Sequence, residues 1–255
     1  MKRFIYLAAI AIAVLAIALT LPSFSAPTAT HGTPILLSQN VNFKPPDVTA
    51  PDNRIPGAHR GGACPKDSSP CVCPNDLSII PFIPEINVGL TLAESPTFFG
   101  YVSHPSTQVE FILQAEDGKG TEVYKTTFKV DKPGIVEVSI PKKGDRQKSI
   151  EVNQRYQWSF AVACNPGDAS GNYFVQGFVQ RIEPQETLKN DLANPDPMAR
   201  AIAYAKNGIW YDTIATLAKM RRLAPDDPML KAEWTQLLQS QKLESVADQP
   251  LVQSF

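Results

Sequence analysis

The chain has 255 residues, with 24 Lys and Arg against 25 Asp and Glu, for a formal net charge of -1. That balance argues against a general nucleic-acid or polyanion binder, which depends on a large excess of cations. The 23 prolines are unevenly spread, with a dense cluster before residue 75.

Lys2 and Arg3 precede an uninterrupted apolar run from Phe4 to Leu21, followed by Pro22-Ser23-Phe24-Ser25-Ala26. A basic start, an apolar stretch and small residues at a cut site read as an export signal, residues 1–25, cleaved before Ala26. The run is also long enough to span a membrane, so a retained signal anchor is the alternative. Either way the positive residues stay inside and the bulk of the chain is expected in the periplasm or outside the cell. Removing the signal leaves about 230 residues, enough for one or two domains with a real core.

Residues 26–75 read as a proline-rich extended arm. Pro45-Pro46, Pro51, Pro56 and Gly61-Gly62 interrupt it, and no apolar period runs through it. Such a composition buries too little surface to offset its ordering entropy, so order is expected only near the cysteines. Cys64, Cys71, Cys73 and Cys164 are the four cysteines, an even count that favours disulfides in an exported chain. A metal site from Cys64, Cys71, Cys73 and His59 is the rival, with a spacing unlike the usual zinc patterns. A Cys71–Cys73 bridge would be strained, so Cys164 is expected to bond back to one of the three early cysteines, stapling the arm to the later domain. No metal and no cofactor is expected.

Residues 76–183 read as all-β. Leu77 to Phe82, Val88 to Leu92 and Phe98 to Val102 are short apolar stretches set off by turn residues. Val109, Phe111 and Leu113 alternate with polar neighbours, and Asp117-Gly118-Lys119-Gly120 is a strong hairpin signal before a return strand from Thr121 to Val130. Pro133-Gly134 turns into Val136, Val138 and Ile140. Tyr156, Trp158, Phe160, Val162 and Cys164 occupy every second position, which in a strand points all of them into a core. With Tyr173 to Ile182, seven or eight strands are predicted, as an antiparallel two-sheet β-sandwich, Ig-like or jelly-roll-like.

Residues 185–251 change period. Met198, Ala201, Ile202 and Ala205 fall at helical spacing, and Asn207-Gly208 supplies a stop. Trp210, Ile214, Leu217 and Ala218 make the next stripe, closed by Pro225, and Trp234, Leu237 and Leu238 mark another helix. The fold class is therefore α+β: a sandwich followed by a helical hairpin of two to three helices. The hairpin resembles a tetratricopeptide unit at Ala201, Tyr204, Gly208 and Pro225, but Thr213 and Met220 stand where that unit prefers small residues. A single such unit cannot bury both faces, so the helices must pack on the sandwich or on a partner. Trp210 shares the apolar stripe and reads as packing. Tyr211 lies off its centre and reads as the contact residue.

An ordered set of motifs resembles a cyanobacterial exported family known as domain of unknown function 928. The motifs are Arg60-Gly61-Gly62-Ala63-Cys64, Leu77-Ser78-Ile79-Ile80-Pro81, and Gly89 to Phe99. They continue with Tyr156-Gln157-Trp158-Ser159-Phe160, Gly208-Ile209-Trp210-Tyr211-Asp212 and Trp234-Thr235-Gln236-Leu237-Leu238. The resemblance covers about Arg60 to Leu251. It implies an exported protein and carries no activity.

No catalytic set emerges. His31 and His59 lie in the arm and His104 sits at a strand end, so a nucleophile has no evident base. Asp226 and Asp227 lack calcium-loop spacing and read as caps of the helix that carries Trp234. Glu94, in the Ala93-Glu94-Ser95-Pro96 corner, is the least bland acid. The basic loop at Lys142, Lys143, Arg146 and Lys148 reads as solvated. The leading expectation is a non-catalytic interaction or structural module of the cell envelope. Alternatives are an envelope hydrolase using Glu94, or a glycan- or wall-binding module using exposed Phe99 and Tyr101. An envelope protein or wall glycan is the expected partner, and no nucleic acid.

Overall fold

The structure is a computed structural model and describes residues 41–48, 77–105, 107–142, 149–162 and 173–255. All four cysteines, the export signal and most of the basic loop lie outside the described residues. The described part belongs to one compact unit, Leu36–Phe255.

Among the described residues the fold is α+β, built from two mixed sheets and four α-helices. The strands are β1 (Ile79–Pro81), β2 (Val88–Thr91), β3 (Thr97–Val102), β4 (Thr107–Ala115), β5 (Glu122–Val130), β6 (Gly134–Ser139), β7 (Arg155–Val162), β8 (Tyr173–Arg181) and β9 (Leu251–Ser254). One sheet has the order β1-β3-β6-β9 and the other β2-β8-β7-β4-β5. The expected hairpin joins β4 to β5 as an antiparallel pair, with Gly118 and Gly120 at φ of 75° and 65°. That left-handed backbone explains why glycine stands at both places.

The sheets are not purely antiparallel, which corrects the sequence expectation. β2 runs parallel to β8, and β6 runs parallel to β9. Parallel partners need a long crossover, and both pairs have one: β3 to β7 lie between β2 and β8, and the whole helical region lies between β6 and β9. Strand β9 itself was invisible to periodicity, being four residues at the end of a helical segment.

Alternation in β7 is as predicted: Tyr156, Trp158, Phe160 and Val162 are buried and the residues between them are half-buried. From the opposite sheet Phe98 meets Phe111 and Trp158, with ring centres 5.1 and 5.4 Å apart. Each such side chain contributes about 1.5–3 kcal/mol by leaving water. The aromatic cluster is thus the contact between the sheets.

The helices are α1 (Glu186–Leu192), α2 (Pro197–Lys206), α3 (Trp210–Leu223) and α4 (Pro228–Gln239). There are four rather than two to three, because short α1 carries a single buried residue, Leu188, and so no apolar stripe. α2 and α4 start alike. Asp196 and Asp227 each accept from two backbone N–H groups of the first turn, and a proline fills the first helical position. α2 stops at Asn207-Gly208, where Gly208 has φ of 71°. α3 has no side-chain cap at Ile209. Its first turn is held by the sheets instead.

Residues 41–48 correct the expectation of an arm ordered only near the cysteines. Val41 is buried and its N–H donates to Glu233 Oε2 of α4 at 2.8 Å. Phe43 meets Trp210 edge-on at 5.1 Å, and the Lys44 N–H donates to the Ala205 carbonyl of α2 at 3.0 Å. The segment has alternating apolar residues, Val41 and Phe43, too short a pattern to register as a period. Gly208 makes room for it: a Cβ there would stand 2.9 Å from the Lys44 carbonyl oxygen.

Candidate functional site

Trp210, Tyr211 and Asp212 form the first turn of α3, and each reaches a different strand or turn. Trp210 donates from Nε1 to the Phe82 carbonyl just after β1, at 2.9 Å. The Tyr211 hydroxyl accepts from Trp158 Nε1 of β7 at 2.6 Å and donates to the Phe178 carbonyl of β8 at 2.9 Å. Its ring meets Phe98 edge-on at 5.1 Å. Asp212 Oδ2 accepts from Thr91 Oγ1 at 2.7 Å and from the Leu92 N–H at 3.1 Å, at the end of β2. Successive helical side chains point about 100° apart, so three consecutive residues can fan out to three anchor points.

Glycine at position 89 is a condition of this joint. A Cβ there would lie 2.5 Å from Tyr211 Cε2 and 3.2 Å from Trp210 Cβ. The side-chain-free backbone of β2 is what lets α3 sit so close. Burial pushes the Tyr211 hydroxyl well above the ordinary tyrosine range, against the opposing effect of the Trp158 hydrogen bond. Burial likewise pushes the Asp212 carboxyl up, against the bonds from Thr91 and Leu92 that favour its charged form.

Beside the joint lies a cleft of about 490 Å³ between α2 and α3. Arg200 and Tyr204, one turn apart on α2, face Asp212, Thr216 and Lys219 on α3. Asp212 therefore belongs to both features, its carboxylate tied to β2 and its flank in the cleft. The Tyr204 hydroxyl is pushed up, chiefly by burial and then by the Asp212 charge, with Arg200 opposing. Arg200 is held in place by Nη1, which donates to the Asn194 and Pro195 carbonyls at 3.3 and 3.2 Å. At the far end Leu223 is 78% exposed.

The residues named from sequence are scattered. Tyr211 is 1% exposed, which corrects its reading as a contact residue. The off-centre position on the α3 stripe is real, but the side chain is covered by β2, β7 and β8 rather than by solvent. Phe99 is also 1% exposed, so it is not the exposed aromatic that a glycan module needs. Strand β3 is covered on both faces, and Phe98 and Phe99 both enter the core. Tyr101 is half-buried against that core. Trp210 is fully buried, as packing requires.

Glu94 is exposed and pairs with Arg181 Nη2 at 3.2 Å. Arg181 also donates from Nη1 to the Ile150 carbonyl at 3.1 Å, so the pair ties the corner to β8. Glu110 pairs with Lys125 across β4 and β5 at 2.7 Å, and Glu116 pairs with Arg155. Asp117 accepts from the Lys119 and Gly120 N–H groups at 2.9 and 2.8 Å. Bonding to Thr121 and those N–H groups holds its carboxyl down at about 2. Asp227 caps α4 as predicted. Tyr101, Glu94 and His104 are not gathered with the cleft.

Sequence reading missed Arg200, Asp212 and Lys219. The signal was present as a polar stripe: Arg200 and Tyr204 at i, i+4, and Asp212, Thr216 and Lys219 at i, i+4, i+7. Among the described residues no group of three His, Cys, Asp or Glu is placed to hold a metal ion. Among them no helix is long and apolar enough to cross a membrane.

No curated protein matches the chain. Among solved structures it is similar to the β-glucuronidase of Parabacteroides merdae, at 8% identity and a TM-score of 0.22. That match covers 67% of this chain and 33% of the other, and a likeness so low carries no argument. A family model described as Domain of Unknown Function (DUF928) matches residues 55–251, and the chain belongs to that family.

Proposed function

We propose that this member of the family is an exported, non-catalytic interaction module of the cell envelope, periplasmic or extracellular, in a cyanobacterial setting. The basic start and apolar run at residues 2–21 support export. On this reading the two sheets are an Ig-like or jelly-roll-like sandwich, α2 and α3 are a helical hairpin, and Cys164 bonds to an early cysteine.

One observation carries the functional reading. The hydrogen-bonding groups at the first turn of α3 bind the sheets, while on the cleft face of α2 and α3 Lys219 and Leu223 are exposed and Arg200 is half-buried. α3 is tied at both ends, through its first turn to the sheets and through Arg222 to Glu137 of β6, so the cleft face is a rigid platform, and a preorganised platform loses less entropy on binding a partner. Glu94 fits this reading as a corner tie through Arg181.

The test is a photo-cross-linking residue at position 223 in the exporting cell, with a control at position 122 on β5. A discrete adduct with one envelope protein is expected from position 223 and not from 122. Absence of an adduct at 223, or the same adducts from both positions, rejects the proposal.

A further inference from the structure

We infer that the cleft between α2 and α3 takes a peptide of a partner protein that carries carboxylate groups beside apolar side chains. The inference rests on the reading just given, that this face meets a protein, and adds the chemistry of what is bound.

The cleft wall carries more cations than anions. Arg200 and Lys219 line it from opposite helices, and neither forms an ion pair with a carboxylate among the described residues. Asp196, one turn before Arg200, is turned back to accept from the Met198 and Ala199 N–H groups. Asp212 is the acid in the wall, and its Oδ2 is committed to Thr91 and Leu92. The wall is therefore positive toward an incoming group, in a protein whose net charge is -1.

The Arg200 head group is preorganised. The two backbone carbonyls on Nη1 fix the Arg200 guanidinium, and among the described residues no hydrogen bond engages its Nε or Nη2. A guanidinium held in one orientation matches the two oxygens of a carboxylate, where a flexible ammonium offers only a point charge.

The cleft is also small and partly apolar. A space of about 490 Å³ suits one or two side chains rather than a folded surface. Pro197, Met220 and Leu223 supply its apolar walls, and Leu223 is far more exposed than any other large apolar residue described. A nucleic acid would need a broader field than two cations provide. A carboxylate flanked by leucine-like groups satisfies both kinds of wall at once.

The test uses the protein as recovered from the exporting cell, in a backbone-amide NMR titration. The probe is acetyl-Leu-Ala-Leu-Glu with a free C-terminus, compared with acetyl-Leu-Ala-Leu-Gln amide and with inorganic phosphate. Shifts are expected at residues 200, 204, 216 and 219 with the acid peptide. The amide should bind about tenfold more weakly, as should the acid peptide to the Arg200→Gln or Lys219→Gln protein. Equal binding of acid and amide peptides, shifts confined elsewhere, or unchanged binding in both variants overturns the inference. Phosphate binding as tight as the peptide also overturns it, by showing a bare anion site. An adduct at position 223 with no peptide binding rejects the carboxylate class alone. Peptide binding with no adduct rejects the envelope partner alone.

Discussion

The two ends of α3 are held in different ways: the first by buried hydrogen bonds, the last by the Arg222–Glu137 ion pair to β6. At its first turn three consecutive side chains bond to β2, β7, β8 and the turn after β1, and Trp210 and Tyr211 are fully covered. At its last turn Leu223 is 78% exposed, and Lys219 before it faces the cleft without an ion pair among the described residues. Both ends belong to one helix, so the difference lies in what surrounds them. An adjacent Trp-Tyr pair looks like a binding surface in sequence, yet here its polar atoms are consumed by the fold. The groups free to meet something else are the unremarkable ones at the other end.

Trp210→Ala should break the joint most severely. It removes a fully buried indole, its contact with Phe43 and its bond to the Phe82 carbonyl. A loss of about 3–5 kcal/mol is expected in urea unfolding. A loss under about 1 kcal/mol would mean that the first turn is not an anchor.

Tyr211→Phe isolates the polar part of the same joint. The ring stays against Phe98, but Trp158 Nε1 loses its acceptor in the dry interior, while the Phe178 carbonyl stays in the β2–β8 ladder. The expected cost is about 1–3 kcal/mol, for one buried donor left unpaired. Unchanged stability would show that the hydroxyl is a passenger and that packing alone holds α3.

What the sequence disclosed follows from the range of each signal. The β4–β5 hairpin, the alternation in β7 and the caps at Gly208 and Asp227 are local, and a local pattern is legible in one chain. The parallel pairs β2–β8 and β6–β9 join residues far apart in the chain, and no period records such a pairing. The same holds for Tyr211. Its place on the helix was read from the stripe, but its burial depends on Gly89 in another element, where the missing side chain opens the space. The cleft was legible only as a polar stripe, because its charge depends on which carboxylates point elsewhere.

Asp212 is where the joint meets the cleft, and pH separates its two roles. Burial holds its carboxyl above the unfolded value, so the folded chain binds that proton more tightly than the unfolded chain does. Its stabilising contribution is therefore full below the unfolded carboxylate range and falls as pH rises through the raised folded value. Asparagine keeps an acceptor for Thr91 and Leu92 and does not titrate. Unfolding of the native chain and of Asp212→Asn, followed from about pH 4 upward, should give a stability difference that moves against the native chain and then levels off. A difference moving the other way would mean that the Thr91 and Leu92 hydrogen bonds outweigh burial.

The smallest expected effect sharpens the contrast from the other side. Lys219→Gln and Arg200→Gln remove the two cleft charges without touching the joint. Lys219 is exposed and has no ion pair to lose among the described residues, so its stability change should stay within about 0.5 kcal/mol. Arg200 loses only surface bonds from Nη1 to the Asn194 and Pro195 carbonyls, and should remain near the same limit. Near-neutral unfolding of both variants, beside a large loss in Trp210→Ala, would separate residues that hold the fold from residues left available to a partner. A loss of more than about 1 kcal/mol in Lys219→Gln would instead tie the cleft face into the fold, because only a structural role makes an exposed charge costly to remove.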